Sequence, residues 1–335
     1  MLKLGITRSR GLSRPRRWLG RERHASFLLL QVLALEGCQD PAAYDTLVAR
    51  VRMPNGTWKQ TAAGRLRLVD EVLVRALERT HAPGDALTVF DLGVSTGVTS
   101  VALYELLSQR WDVEFTATDL YRDAFAVSAP ARRWAIVLEA GGDVLQHVIG
   151  PFVLPGQLEE SAAYPANRAL KRWSERVLVP RARQALAHDP EARERAYFVA
   201  GEVAGLVVQR LPFFSWRCLD LMRRTPRFRF VVHDVTEPLP ATATIVRAVN
   251  ILTREYFDLP TVTRSIGHAL RAVECGGYLV AGQSRGLDPA AMRATVFRVR
   301  GGAAEIVARI GEGYELEQLV QSQAADAGWR QACEA

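Results

Sequence analysis

The chain is short of cysteine. Cys38, Cys218, Cys275 and Cys333 lie far apart with no C-x-x-C pair, so neither a zinc site nor a dense disulfide framework is indicated. It has no internal repeat and no low-complexity segment, which sets aside solenoids and compositionally biased tails. It also lacks a long apolar run: Ser26 to Leu35 (SFLLLQVLAL) falls far below the roughly 20 residues that a membrane-spanning helix needs. The 26 residues up to Ser26 carry eight Lys or Arg and one acidic residue. With Cys38 just beyond, this has the outline of an export signal, but the basic lead is long and Glu36 is a poor flank. The expectation is a basic arm before a first helix, in a cytoplasmic protein whose membrane contact goes no further than its surface.

What is present is enough chain, 335 residues, to bury a large core, with a formal net charge of +7 that fits either a mild affinity for phosphates and acidic surfaces or an arginine-rich composition. The informative stretch is Thr88 to Leu107, TVFDLGVSTGVTSVALYELL. Thr88 to Phe90 read as the end of a buried strand, and Val98 to Leu107 has the apolar spacing of a helix. Asp91 to Gly97 is then a strand-to-helix turn with two glycines. A glycine there either takes a left-handed backbone angle or lets another group approach the main chain closely. Behind it, the helix start presents unpaired N–H groups. A phosphate-cradling loop needs Lys-Ser or Lys-Thr after its last glycine, and Gly97 is followed by Val98-Thr99. A dinucleotide turn wants G-x-G-x-x-G, whereas the spacing here is G-x-x-x-G with an acidic residue two positions before it. A ligand bearing amine or hydroxyl groups suits that carboxylate better than a pyrophosphate.

Around the turn, Lys59 to Arg79 reads as a helix and Val113 to Thr118 as a second strand ending at Asp119. Strand, helix, strand is a crossover unit, and its parallel sheet opens a ligand crevice at the carboxyl ends of the strands. The alternation then breaks for about a hundred residues, within which Trp134 to Leu138 and Val144 to Ile149 read as a hairpin. Arg168 to Leu186 and Glu191 to Leu211 read as helices, the first broken at Pro180. Strands resume at Phe228 to Val232, Thr244 to Ala248 and Tyr278 to Gly282, with a helix from Thr261 to Val273. A last pair, Thr295 to Arg300 and Ala304 to Ile310, straddles Gly301-Gly302.

With these elements in place, the chain resembles the class I S-adenosylmethionine-dependent methyltransferases over roughly Leu87 to Tyr121 and Arg227 to Val320. Asp91-x-Gly93-x-x-x-Gly97 matches the family's first motif, with Ser95 and Thr96 inside it, and Asp119, followed by Leu120, matches the acidic residue that holds both ribose hydroxyls. Asp234, with Val235, stands where the family places a contact to the adenine. The resemblance implies an α/β fold: a Rossmann-like sheet of seven strands, mostly parallel, with a C-terminal antiparallel hairpin and here a large insertion after the second strand. It implies S-adenosyl-L-methionine as cofactor. A partial similarity to chemotaxis receptor methyltransferases lies in Arg247-Ala-Val-Asn250 through Tyr256-Phe257 and in GGYLVAGQS; Arg247 and Asn250 are not adjacent here, so the substrate does not carry over.

For the reaction itself, Arg247, Asn250 and Tyr256 are the residues expected to orient an acceptor, and His233 is a candidate base. Arg247 would suit a carboxylate-bearing acceptor. The acceptor is expected to be a small molecule or peptide. Nucleic acid ranks below these, because Val249-Asn250-Ile251-Leu252 lacks the Pro-Pro-aromatic run of enzymes that methylate base amines, and a receptor-type glutamate methyltransferase also ranks lower. The rival from another class is a cofactor-binding regulatory protein without catalysis. Expected domains are a basic arm and helical cap over 1–86, a cofactor domain over 87–121 and 227–335, and an inserted lid or acceptor module over 122–226. Trp134, Phe152, Tyr164, Trp173, Phe213, Phe214 and Trp216 would cover the acceptor or fill the insertion's own core, and Arg223, Arg224, Arg227 and Arg229 form a basic stretch.

Overall fold

The computed structural model describes residues 25–35, 38–49, 52–54, 56–57, 59, 61–157, 165–284 and 289–326. The basic arm up to residue 24, Glu36, Tyr164 and Cys333 lie outside the described residues. In chain order the elements are α1 (Leu29–Leu35), α2 (Pro41–Ala49), α3 (Arg67–Leu77), β1 (Ala86–Leu92), α4 (Val98–Leu107), β2 (Asp112–Asp119), β3 (Asp123–Ala129), β4 (Trp134–Glu139), β5 (Val144–Ile149) and β6 (Phe152–Pro155). They continue with α5 (Pro165–Ala187), β7 (Ala200–Val203), β8 (Leu206–Pro212), α6 (Trp216–Arg224), β9 (Phe228–Val232), β10 (Ala243–Val249), α7 (Leu259–Arg271), β11 (Val273–Ser284), β12 (Met292–Arg300), β13 (Ala303–Ile310) and α8 (Glu317–Asp326). Among the described residues no helix is long and apolar enough to cross a membrane.

The chain divides into two compact units, one of residues 1–60 and 121–219, the other of 61–120 and 220–335. The first boundary therefore falls inside the segment expected to be a single N-terminal piece. The reason is side-chain chemistry: α3 is tied to the second unit by Asp70, which pairs with Arg247 of β10, and by the Tyr278 hydroxyl, which donates to the Ala76 carbonyl. Phe27, Leu30, Tyr44 and Leu47, by contrast, pack with Ala124, Val137, Leu211 and Phe213 of the first unit.

The first unit is a six-stranded antiparallel sheet in the order β6-β5-β4-β3-β8-β7. Successive residues of β3 point to opposite faces. Ala124 and Ala126 join the α1 and α2 side chains, while Phe125 and Val127 join Leu178, Val179, Ala182 and Ala185 of α5. The expected hairpin is present as β4 and β5, but as the middle of this sheet. The expected helix over 191–211 is instead the hairpin of β7 and β8. Its two-residue turn, Ala204-Gly205, has φ of +52° and +73°, the paired left-handed angles that let a tight turn follow the strand twist. The expected break at Pro180 does not occur, and α5 runs through it. Its buried face against the sheet offsets the lost backbone bond, a cost of roughly 3 kcal/mol in an unsupported helix. Trp134, Phe213 and Phe214 are core residues here. A buried ionic group crosses this sheet: Asp123 accepts from Arg122 Nε, Arg210 Nη2 and the Tyr197 hydroxyl at 3.0, 2.9 and 2.7 Å.

The second unit is a mixed α/β fold on a seven-stranded sheet in the order β13-β12-β11-β10-β1-β2-β9. β9, β2, β1, β10 and β11 run parallel, and β11, β12 and β13 form an antiparallel meander. β10 is buried along its whole length. Val246 and Ala248 face α7 and α8, so Ile245 and Arg247 point to the opposite face. Phe115 and Phe228 stack at 5.2 Å with Tyr104 of α4 edge-on to both, which locks β9 to β2. The basic stretch before and within β9 is largely neutralised: Arg224 pairs with Asp220, Arg227 with Asp112 and Arg229 with Glu114.

Candidate functional site

Strand order reverses between β1 and β10, since the chain leaves β1 in one direction and returns on its other side. In an open parallel sheet the crevice for a ligand lies at such a reversal, beyond the carboxyl ends of the strands. Gly93 to Gly97 follow β1, and Asn250 follows β10, so both segments meet at that edge.

The turn after β1 is built from left-handed residues at alternate positions: Gly93, Ser95 and Gly97 have φ of +65°, +59° and +73°. For Ser95 this conformation costs about 1–2 kcal/mol. It is held by hydrogen bonds to β2: the Val94 N–H donates to the Thr118 carbonyl at 3.0 Å, and the Ser95 N–H to Asp119 Oδ2 at 2.7 Å. Gly97 starts α4 with no side-chain cap, which leaves the helix start facing the turn. Backbone N–H groups in such a turn and helix start suit a carboxylate. Thr96 is buried within the turn, and Leu120 is exposed one residue past Asp119.

Gly93 permits a close approach, and the group that makes it is Ile251. A Cβ added at Gly93 would stand 2.7 Å from Ile251 Cγ1. Ile251, two residues past β10, thus packs directly over the glycine.

Two expected site residues turn out to be buried structure. Arg247 is 0% exposed. Its Nε and Nη2 grip Asp91 Oδ1 and Oδ2 at 2.9 and 2.5 Å, and Nη1 reaches Asp70 Oδ1 at 2.6 Å. The Ser100 hydroxyl adds a bond to Asp91 Oδ2 at 2.6 Å. Neither an acceptor contact by Arg247 nor a ligand contact by the Asp91 carboxylate is compatible with this geometry. The physical reason is the strand position: a central parallel strand is covered on both faces, so a charge on it must find partners inside. Burial pushes the Asp70 carboxyl up to about 7 although Arg247 opposes it. The missed partner left a sequence signal, because Asp70 sits among Val69, Leu73, Ala76 and Leu77 on the buried stripe of α3.

Asn250 has φ of +63°, and its Oδ1 accepts from the Ser284 N–H at 2.6 Å, tying the end of β10 to the end of β11. Tyr256 is half exposed in the following turn. Asp234 closes its own turn, accepting from the Thr236 N–H and hydroxyl at 2.9 and 2.8 Å, and Val235 packs into the core beside α7. His233 follows β9, three strands from β10, or roughly 14 Å across the sheet. It is therefore not brought together with Asn250 and Tyr256. Burial lowers its pKa, opposed by Asp234 and Glu237, and its Nε2 is buried without a hydrogen-bond partner among the described residues. Sequence reasoning missed Arg65, whose guanidinium stands at the end of β11 on Ser284. No group of three or more His, Cys, Asp or Glu suited to a metal occurs among the described residues.

No protein-family model matches the chain, and no curated protein matches it. Among solved structures, the N-methyltransferase NodS from Bradyrhizobium japonicum WM9, in complex with S-adenosyl-L-homocysteine, is similar at a TM-score of 0.30 and 12% identity, over 70% of this chain and 68% of that one. The O-methyltransferase NcsB1 from neocarzinostatin biosynthesis, in complex with S-adenosyl-L-homocysteine and 1,4-dihydroxy-2-naphthoic acid, is similar at 0.28 and 15% identity, over 76% of this chain and 43% of that one. The citrinin polyketide synthase CMeT domain is similar at 0.32 and 16% identity, over 79% and 49%. The match thus spans less than half the length of the last two. At such TM-scores neither the reaction nor the ligand of these proteins passes to this chain.

Proposed function

We propose that this chain is an S-adenosylmethionine-dependent methyltransferase acting on a small-molecule or peptide acceptor. The observation that carries the reading is the turn of three alternate left-handed residues at the strand-order reversal, with the Asp119 carboxylate anchored to its middle by the Ser95 N–H. The residues present fit the cofactor in part. Backbone groups from Gly93 to Gly97 and the uncapped start of α4 would hold its amino-acid end, and Asp119 would take its ribose hydroxyls, with Leu120 beside it. Asp91 does not take part, and Asp234, whose two turn bonds both fall on Oδ1, would offer Oδ2 to the adenine.

When bound, the cofactor supplies a methyl group on a sulfonium sulfur. The chain's share of the work is alignment and enclosure, since the positive charge disperses during in-line displacement. Asn250 fixes the rim where β10 and β11 end, Tyr256 lies in the turn that follows it, and Ile251 keeps water from Gly93. Burial lowers the pKa of His233 and so weakens it as a base. Its distance across the sheet favours a reaction in which the acceptor's proton leaves through another group. Titration calorimetry tests the reading: S-adenosylhomocysteine should bind and NAD should not, whereas binding of NAD with no response to either sulfur ligand would sink it.

A second reading from another class is a cofactor-binding regulatory protein without turnover, which would use the same glycine turn and Asp119 and differ only in catalysis. Incubation with methyl-labelled donor and a metabolite extract separates the two by whether label is transferred.

A further inference from the structure

The unit that carries the glycine turn holds two arginines of opposite character, one buried and one half-buried. Every nitrogen of Arg247 is engaged by carboxylates. Arg65 is half-buried, and its Nε and Nη2 both donate to one neutral oxygen, Ser284 Oγ, at 3.0 and 2.6 Å. No carboxylate stands within ion-pair distance of it among the described residues, and both hydrogens of Nη1 lack a protein partner there. A hydroxyl is a weak match for a guanidinium, whose fork is shaped for two carboxylate oxygens.

The position of Arg65 is fixed. Ser284 is the last residue of β11, and its N–H is bonded to Asn250 Oδ1 past the end of β10. Burial lowers the pKa of Arg65, opposed by the nearby Tyr256. Arg65 therefore stands over β11, two strands from β1 and on the side away from Asp119. In such a ligand the sulfonium sulfur joins the ribose to the amino-acid chain, so a ribose at Asp119 and an amino-acid end at the β1 turn put the methyl group between them, and Arg65 stands two strands beyond the turn, past the cofactor's own carboxylate.

We propose that Arg65 is a carboxylate-binding residue and that the methyl acceptor is an acid, held by the free edge of the Arg65 guanidinium beside Tyr256. The proposal rests on the methyltransferase reading. A carboxylate at this place has a second source, the amino-acid end of the cofactor, and the distance from β1 favours the acceptor.

The test uses the full chain and three probes: S-adenosylhomocysteine, 5′-methylthioadenosine, which lacks the amino-acid end, and benzoate added to protein saturated with S-adenosylhomocysteine. For Arg65→Ala, benzoate binding seen by ligand-observed NMR should weaken by about tenfold or more, with both nucleosides bound as before. Loss of S-adenosylhomocysteine affinity with 5′-methylthioadenosine unchanged would keep the carboxylate site and overturn its assignment to the acceptor. Unchanged binding of all three probes by Arg65→Ala overturns the proposal. If the native chain binds neither nucleoside, the methyltransferase reading itself fails and this inference with it. Should Arg65→Ala fail to fold, Ser284→Ala keeps the cation and removes its tether. That variant should lose roughly threefold or more in benzoate affinity, and no change there also overturns the proposal.

Discussion

The two sheets bury their strands by opposite means, and each encloses an arginine with aspartate. In the six-stranded sheet neighbouring strands are mostly joined by local turns, and the ionic group of Arg210, Arg122 and Asp123 completes the pairing of β3 with β8. In the seven-stranded sheet the parallel strands need long crossovers, the order reverses between β1 and β10, and a crevice follows from that reversal. Arg247 lies beneath this crevice and joins β10, β1 and α3 through Asp91 and Asp70. The lesson is that a charged residue near a ligand edge is not thereby a ligand residue. Arg247 supports the edge, and Arg65, which makes no ion pair among the described residues, stands at the end of β11 on Ser284.

The sharpest way to break this comparison is Arg247→Ala. It leaves Asp70 and Asp91 buried without their cation, and a loss of about 3–5 kcal/mol is expected. Hydrogen exchange should show 86–119 and 243–284 losing protection while 123–149 keeps it; equal loss in both segments would mean that the cluster is not specific to its unit. Asp123→Ala should cost about 2–3 kcal/mol in urea unfolding, by stripping partners from Arg210, Arg122 and Tyr197, with protection lost first in β3 and β8. A cost above that of Arg247→Ala would reverse the ranking of the two clusters.

Smaller effects separate support from binding. Asp119→Ala should weaken S-adenosylhomocysteine by about 1–3 kcal/mol through loss of charge-assisted bonds, measured by calorimetry. Unchanged affinity would confine Asp119 to holding the Ser95 turn. Asp70→Asn should shift stability at pH 7.5 by less than about 1 kcal/mol, because the amide still accepts from Arg247 and the Asp91 pair remains. Its signature is in the pH trend. With the Asp70 carboxyl raised to about 7, the native state keeps a proton that the unfolded chain has released above its ordinary value near 3.8. Stability from this group therefore falls as pH rises from about 4 to about 7 and is flat above that. The native chain's thermal midpoint, relative to that of Asp70→Asn, should decline across that window. A constant difference would mean that Asp70 is ionised throughout.

Much of the second unit was legible in the chain because its signals are local. The strand before Asp91, the turn to Gly97, the helix after it and the strand ending at Asp119 each follow from short-range spacing and backbone freedom. The first unit was harder. Glu191 to Leu211 reads as a helix because its apolar residues suit two periods, and only the left-handed pair Ala204-Gly205 and the pairing of β8 with β3 settle it as a hairpin. Excising 132–154 as a lid would remove β4, β5 and most of β6 from a continuous sheet, so the insertion has to be tested by point substitution.

The sequence by itself determined the glycine turn, its place between strand and helix, and Asp119 at the next strand end, because those depend on residues within about 30 positions of one another. Only the tertiary structure decided the surroundings of Arg247 and Arg65. Each draws on partners 156 to 219 residues away, Asp91 and Asp70 for one and Ser284 for the other. Neither burial nor a free guanidinium edge can be read until long-range packing has set which face of a strand is covered.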